Sequence, residues 1–314
     1  MEIGSRQAPA SPGGGELNVY GAIASNRRRT VLLVGFFLVL TTALGYLLGE
    51  IFWPGSGLYV VPLAFAIAAV AAAASYYAGD RVVLGLSHAV EVDEARAPEL
   101  FHVVDALATG AGIPRPRIFI IEDHSPNAFA TGRDPAHASV AITSGLLTKL
   151  NRSELEGVLA HELSHVRNRD TRLMLVVAVL LGMAALISDL MLRSMWFGGG
   201  RRSRQQGVIG LVLLVAGLVL AILAPLIAQL VRLAISRQRE YLADASGALL
   251  TRFPAALASA LRKIASDPTP LATANQATAP LYFANPLEKR HRWLDSAFDT
   301  HPPIEDRIRR LESM

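Results

Sequence analysis

Four stretches of this chain carry no charged side chain, and a run of ~20 apolar residues suffices to cross the ~30 Å hydrocarbon core of a bilayer. Residues 30–49 lie uncharged between Arg29 and Glu50, and residues 51–79 follow, with the expected span starting at about Leu58 after a Pro54-Gly55 turn. Residues 173–188 are shorter and run into Asp189, while residues 205–231 lie between Arg204 and Arg232. The first, second and fourth reach spanning length. The third is marginal, because Asp189 is costly in lipid unless it sits near an interface or faces protein or water. A composition of 52% hydrophobic and only 18% charged residues agrees with membrane spans. A buried core helix is the plainer alternative for each run, and soluble helices are rarely so long and charge-free.

Arg27, Arg28 and Arg29 stand directly before the first run, whereas the loop after it, residues 50–57, has no Lys or Arg. Positive flanks stay in the cytoplasm, so the N-terminus is expected there, and residues 80–171 as well after two crossings. Arg193, Arg201, Arg202 and Arg204 disagree, since the same topology puts their loop outside; runs three and four then form a hairpin that does not fully cross. The Gly/Pro/Ser-rich leader before the first run reads as a disordered tail and not as a cleaved signal sequence. A formal charge of +4 fits basic residues beside anionic lipid, and no basic patch interleaved with aromatics suggests nucleic acid. With no cysteine, disulfides, thiolate ligands and Cys nucleophiles are excluded.

Between runs two and three the pattern predicts a helix from Pro98, ending near Gly110 and Gly112, then a strand at "RIFIIE". "SPNAFATG" reads as a turn and "HASVAITSGLL" as a second strand. Ser153 and Glu156 are spaced as a capping box opening a further helix, with no breaker before run three. That helix carries His161, Glu162 and His165 in "LAHELSHVRNRD". A separation of four places both imidazoles on one helix face, where they can share an ion, while Glu162 is turned by ~100° towards a water beside it. Zinc lowers the pKa of such a water to ~7, and a carboxylate can take its proton, which is why H-E-x-x-H suits peptide hydrolysis. Taken alone the motif is weak, and a polar helix face is the competing explanation. Apolar Leu155, Val158, Leu159 and Val166 around it argue for a packed helix whose histidines need partners.

A catalytic zinc keeps three protein ligands and one open position. Glu240 in "REYLAD" is the best third candidate, because a hairpin of runs three and four returns it to the histidine helix. Asp244, one turn later, is spaced to accept the second N–H of a ligating histidine. The competing explanation for Glu240 is a solvated carboxylate paired with Arg237 or Arg239.

"LAHELSHVRNRD", "SRQREYLADASGA", "SPNAFATGRDPAHASVAITSGLL" and "THPPIEDRIRRL", in this order, closely resemble the HtpX-type membrane zinc metalloproteases, a gluzincin branch, from about Asn26 to the C-terminus. The resemblance implies His161, His165 and Glu240 as ligands of one Zn2+ per chain, Glu162 as general base and Asp244 as the carboxylate behind a ligand. It implies that Asn127, Ala128 and Phe129 line the cleft, and that Ser139, Val140, Ala141, Ile142 and Thr143 form the edge on which a substrate pairs in extended form. It also puts His301 and Arg307 near the reaction centre, His301 as a donor to the oxyanion and Arg307 as a brace for Glu240 or the substrate backbone.

The expected fold is α+β, mainly helical with a small sheet: an integral membrane protein of up to four transmembrane helices around a zincin-like core. Its parts are a disordered tail (1–25), a two-span anchor (26–79), a first catalytic part (80–172), a membrane hairpin (173–231) and a second catalytic part (232–314). The resemblance implies quality-control and stress-response proteolysis of unfolded, damaged or misassembled membrane proteins, with the active site on the cytoplasmic side of a bacterial inner membrane. A non-catalytic zinc scaffold or chaperone is the alternative. A protease with its site inside the bilayer is disfavoured, since Arg167, Arg169 and Asp170 follow the histidines at once.

Overall fold

The computed structural model describes residues 19–178, 237–273, 278–284 and 302–314. Most of runs three and four, and His301, lie outside the described residues.

Two long helices, α1 (Val19–Phe52) and α2 (Gly57–Leu86), form an antiparallel hairpin. The first begins at Val19, inside the stretch expected as tail. Glu50 closes the hairpin turn, its carboxylate accepting from Gly55 N (2.8 Å) and Gly57 N (3.1 Å). The helices touch through glycines one turn apart: a Cβ at Gly45 would sit 2.3 Å from Ala64 Cβ, and one at Gly49 2.9 Å from Gly57 Cα. Such G-x-x-x-G contacts let helices pack closely where lipid removes the hydrophobic drive to associate. Of the most apolar windows in these helices only 12% and 17% is buried by protein, so Val39, Leu58, Leu63 and Val70 face outward. By length and composition both helices can cross a membrane.

A four-stranded sheet follows, built from β1 (Val90–Glu91), β2 (Arg117–Ile121), β3 (Ala128–Gly132) and β4 (Ala138–Thr143). The spatial order is β1-β2-β4-β3, with β2 and β4 parallel and the other pairs antiparallel. Two expectations fall here. The stretch read as a turn is strand β3; the turn is made just before it, where Asp123 accepts from Ser125 N (2.9 Å). The strand expected as an edge, β4, is interior, because β2 pairs with one side of it and β3 with the other. Side chains of β4 alternate between two cores, Val140 and Ile142 on one face and Ala141 on the other, so the whole strand is apolar or small.

One face of the sheet packs against α3 (Pro98–Ala111), α5 (Arg152–Arg167) and α8 (Pro254–Ser266), through Val104, Leu159, Leu163 and Leu257. The other packs against α6 (170–178) and parts of the α1–α2 hairpin, where Leu33, Val83 and Leu84 cluster with Phe119 and Phe129. Short α4 (Ser144–Lys149) precedes α5; α7 (Arg237–Thr251) lies along α5, and α9 (Ile304–Glu312) closes the chain.

The start of α5 is shifted from the expected one. Asn151 is the N-cap, and its side chain exchanges hydrogen bonds with Glu154 in the capping box expected two residues later. Its end also differs: α5 stops at Arg167, Arg169 takes φ 59°, and a new helix starts at 170. A left-handed residue costs an L side chain about 1–2 kcal/mol, and what it achieves here is a change of direction that brings Asp170 back over His165.

Candidate metal centre

His161, Glu162 and His165 occupy the buried face of α5. Opposite stands α7, which approaches closely because Gly247 leaves room: a Cβ there would lie 3.0 Å from the His161 amide nitrogen. The approach brings in Glu240 and Asp244, which share one side of α7 at helical spacing. The candidate ligand atoms of His161, His165 and Glu240 all lie within 4.8 Å of one another. All three side chains are buried.

Each histidine spends one ring nitrogen on a carboxylate. His161 Nδ1 lies 2.9 Å from Asp244 Oδ1, and His165 Nδ1 lies 2.9 Å from Asp170 Oδ2. Nδ1–H donation leaves both Nε2 lone pairs facing the same point, 3.1 Å apart, with Glu240 oxygens at 3.7 and 3.5 Å. Two lone pairs do not face each other across that distance unless a positive charge lies between them. Two imidazoles and a carboxylate, without sulfur, suit zinc, so the residues fit the ion that the motif implies.

Burial and local charge set the proton preferences. Burial pushes His161 down to about 4, with Asp244 opposing and Arg307 and His165 assisting. His165 moves the other way, up to about 9: burial disfavours its charge, and Asp170, Glu240 and Glu162 outweigh that. The donor set by itself therefore attracts a positive charge, and a proton takes that place when no cation does. Burial, with help from Glu240, lifts Glu162 to about 8. Its Oε2 accepts from Ala130 N at 2.8 Å, which turns the carboxylate towards the cleft. Burial would raise Asp244, yet Arg307 and His161 hold it at about 2.

Arg307 of α9 binds Asp244 with two nitrogens, at 2.8 and 2.7 Å, and its Nη1 lies 3.9 Å from Glu240. It is 1% exposed and is not among the residues that line the described cleft. Among the described residues, Ala130, Thr171, Met174, Leu281, Tyr282 and Phe283 line the cleft around the ligands and Glu162.

None of Asn127, Ala128 and Phe129 lines that cleft among the described residues. The Asn127 amide pairs with the backbone of Ala284, accepting from its N–H (3.2 Å) and donating to its carbonyl (2.9 Å). Ala128 accepts from Phe283 N (2.8 Å), and Phe129 is buried against Tyr282 with ring centroids 5.0 Å apart. Ser139, Val140, Ala141, Ile142 and Thr143 sit inside the sheet, so the edge beside Glu162 belongs to β3. His301 lies outside the described residues.

Sequence reasoning missed Ala130, Asp170, Asn26 and Arg239. Asp170 had a faint signal, a lone carboxylate five residues beyond the second histidine at the head of an apolar run.

Residues 94–314 match Peptidase family M48. The chain is 44% identical over 299 residues to a "Protease HtpX homolog" of Caldanaerobacter subterraneus subsp. tengcongensis, covering 94% of this chain and 98% of that protein. It is 45% identical over 305 residues to one of Lactobacillus helveticus, covering 94% and 100%. A solved structure, S. mikatae Ste24p, aligns at 19% identity with a TM-score of 0.49 over 93% of this chain and 67% of that one.

Proposed function

The chain belongs to peptidase family M48 and is a metalloprotease, and on that premise we propose a zinc-dependent endopeptidase held at the cytoplasmic face of a bacterial inner membrane, cutting damaged or misassembled membrane proteins. One observation carries the reading: two histidines, each oriented by its own carboxylate, converge with Glu240 on one point, and Glu162 stands beside that point with no role as a ligand.

His161, His165 and Glu240 hold the ion. Bound there, zinc supplies Lewis acidity, polarising a carbonyl and making water more acidic. Glu162 receives the proton of the attacking water and hands it to the leaving amine; a carboxylate lifted by burial suits both tasks. Ala130 N–H holds Glu162 in place. Asp244 accepts from His161 Nδ1 and so leaves Nε2 as the ligand atom, while burial and Arg307 keep the ring neutral. An extended peptide is proposed to pair at the outer edge of β3 and not on β4, because β2 and β3 occupy both sides of β4. His301, two residues before the described Pro303, is proposed as the oxyanion donor. Glu162 disfavours the scaffold alternative, since a structural ion needs no base.

The test is cleavage of an unfolded protein by the full chain in detergent, stripped of metal and resupplied with zinc, for wild type and Glu162→Gln. Zinc should restore cleavage to wild type. The variant should bind zinc equally while losing at least about 10²-fold in rate. Equal cleavage by both, or none by either, would overturn the reading.

A further inference from the structure

We propose that Asn26, on the first membrane helix, is a positioning residue for the metal ligand His165, acting through Asp170. The inference rests on the metal-site reading above.

Asn26 lies at the inner end of α1, directly before Arg27, Arg28 and Arg29, and is 3% exposed. Its amide is used at both ends. Nδ2 donates to Asp170 Oδ1 (2.5 Å) and to the carbonyl of Asn168 (3.2 Å), and Oδ1 accepts from Arg239 Nη1 (3.0 Å). Asp170 then divides its two oxygens, Oδ1 to Asn26 and Oδ2 to His165 Nδ1 (2.9 Å). One carboxylate thus joins a helix whose outward face is made for lipid to an imidazole that faces the metal point.

The chemistry requires an amide here. A donor must meet the Asp170 carboxylate while an acceptor meets the Arg239 guanidinium, and one short planar amide offers both. A carboxylate at position 26 would keep the second contact and set like charges together in the first. Alanine would free Asp170 Oδ1 and let the carboxylate turn, and His165 with it. Groups that orient a metal-bound histidine from behind are typically worth 10–100-fold in metal affinity. Asn26 stands one bond further out, so the expected loss is at the lower end, about tenfold. The consequence is that the seating of α1 sets the quality of the metal site. The first span is then part of the active centre as well as an anchor.

Zinc affinity of the full-length chain, measured in detergent by competition with a chromogenic chelator, tests this. Asn26→Ala should lose about tenfold and Asn26→Asp more, with helical content retained. Val104→Ala, which removes a buried side chain of α3 in the core on the other face of the sheet, should lower the melting temperature and leave zinc affinity unchanged. In an Asp170→Ala background, Asn26→Ala should add nothing. Wild-type affinity in both Asn26 variants would overturn the proposal, as would an Asn26→Ala effect undiminished without Asp170, which would make it a packing effect. Should the alanine variant not fold, Asn26→Asp, identical in shape, decides alone. No step of this assay reads proteolysis. A chain that binds zinc and cuts nothing would sink the mechanism above and leave this inference standing.

Discussion

The two histidines sit on one helix face, four residues apart, yet the protein holds them by different means. His161 is backed by Asp244, which is itself gripped by two nitrogens of a fully buried arginine from the C-terminal helix. His165 is backed by Asp170, which leans on Asn26 of α1, with Arg239 Nε 3.8 Å away. The first arrangement is a closed ion pair inside the soluble core. The second is a hydrogen-bond chain reaching the lipid-facing part of the molecule. Their proton preferences are opposite: burial and Arg307 hold His161 neutral down to about 4 against the pull of Asp244, while Asp170, Glu240 and Glu162 keep a proton on His165 up to about 9. One side of the site is fixed by folding, and the other is open to the position of a membrane helix.

The sharpest way to break this contrast is to remove the arginine. Arg307→Ala leaves the Asp244 carboxylate buried without its partner, an error that costs about 3–5 kcal/mol. The melting temperature should collapse along with zinc retention, and a variant that melts normally would mean the closed side is no tighter than the open one. Next in size is Asp170→Asn on the other side. It should weaken zinc binding about 10–100-fold while the fold persists, because no buried arginine is stranded in a bidentate pair. Chelator competition and a melt on the same sample check both halves of that statement.

The smallest effect sharpens the contrast by acting on both sides at once. Glu154 caps the start of α5, far from the metal point, and binds Lys263 Nζ and Ser259 Oγ at 2.7 Å each. Burial would raise its pKa, but Lys263, the Asn151 amide and Ser259 bring it below the ordinary value. A depressed folded-state pKa contributes stability above the unfolded value, and that contribution is lost as pH falls through the folded one. Glu154→Gln should therefore cost about 1–2 kcal/mol at pH 7, with the gap to wild type closing as melts are run towards pH 4. Zinc affinity should hardly move. A selective loss on one side would mean that α5 does not carry its two histidines as a rigid unit.

Much of this molecule is legible along the chain because it depends on short-range geometry. Helical periodicity alone puts His161 with His165 and Glu240 with Asp244, and of the four charge-free runs the first two are helices long and apolar enough to cross a membrane. Strand identity was harder. "SPNAFATG" opens with turn formers and still becomes a strand, since pairing with β4 offers its backbone partners that no local pattern reveals. The same pairing moved the free edge from β4 to β3. Interior and edge strands read alike when both faces of each are covered.

What the sequence specified by itself is therefore the candidate ligand set, the candidate base and two helices long and apolar enough to cross a membrane, each marked by residues within a turn or a run of one another. Tertiary structure alone decided what stands behind the ligands. Asn26 meets Asp170 across 144 residues and Arg239 across 213, and Arg307 meets Asp244 across 63. A buried polar group must find a partner wherever the fold provides one, and which distant group arrives is settled by the packing of helices against a sheet, not by spacing along the chain.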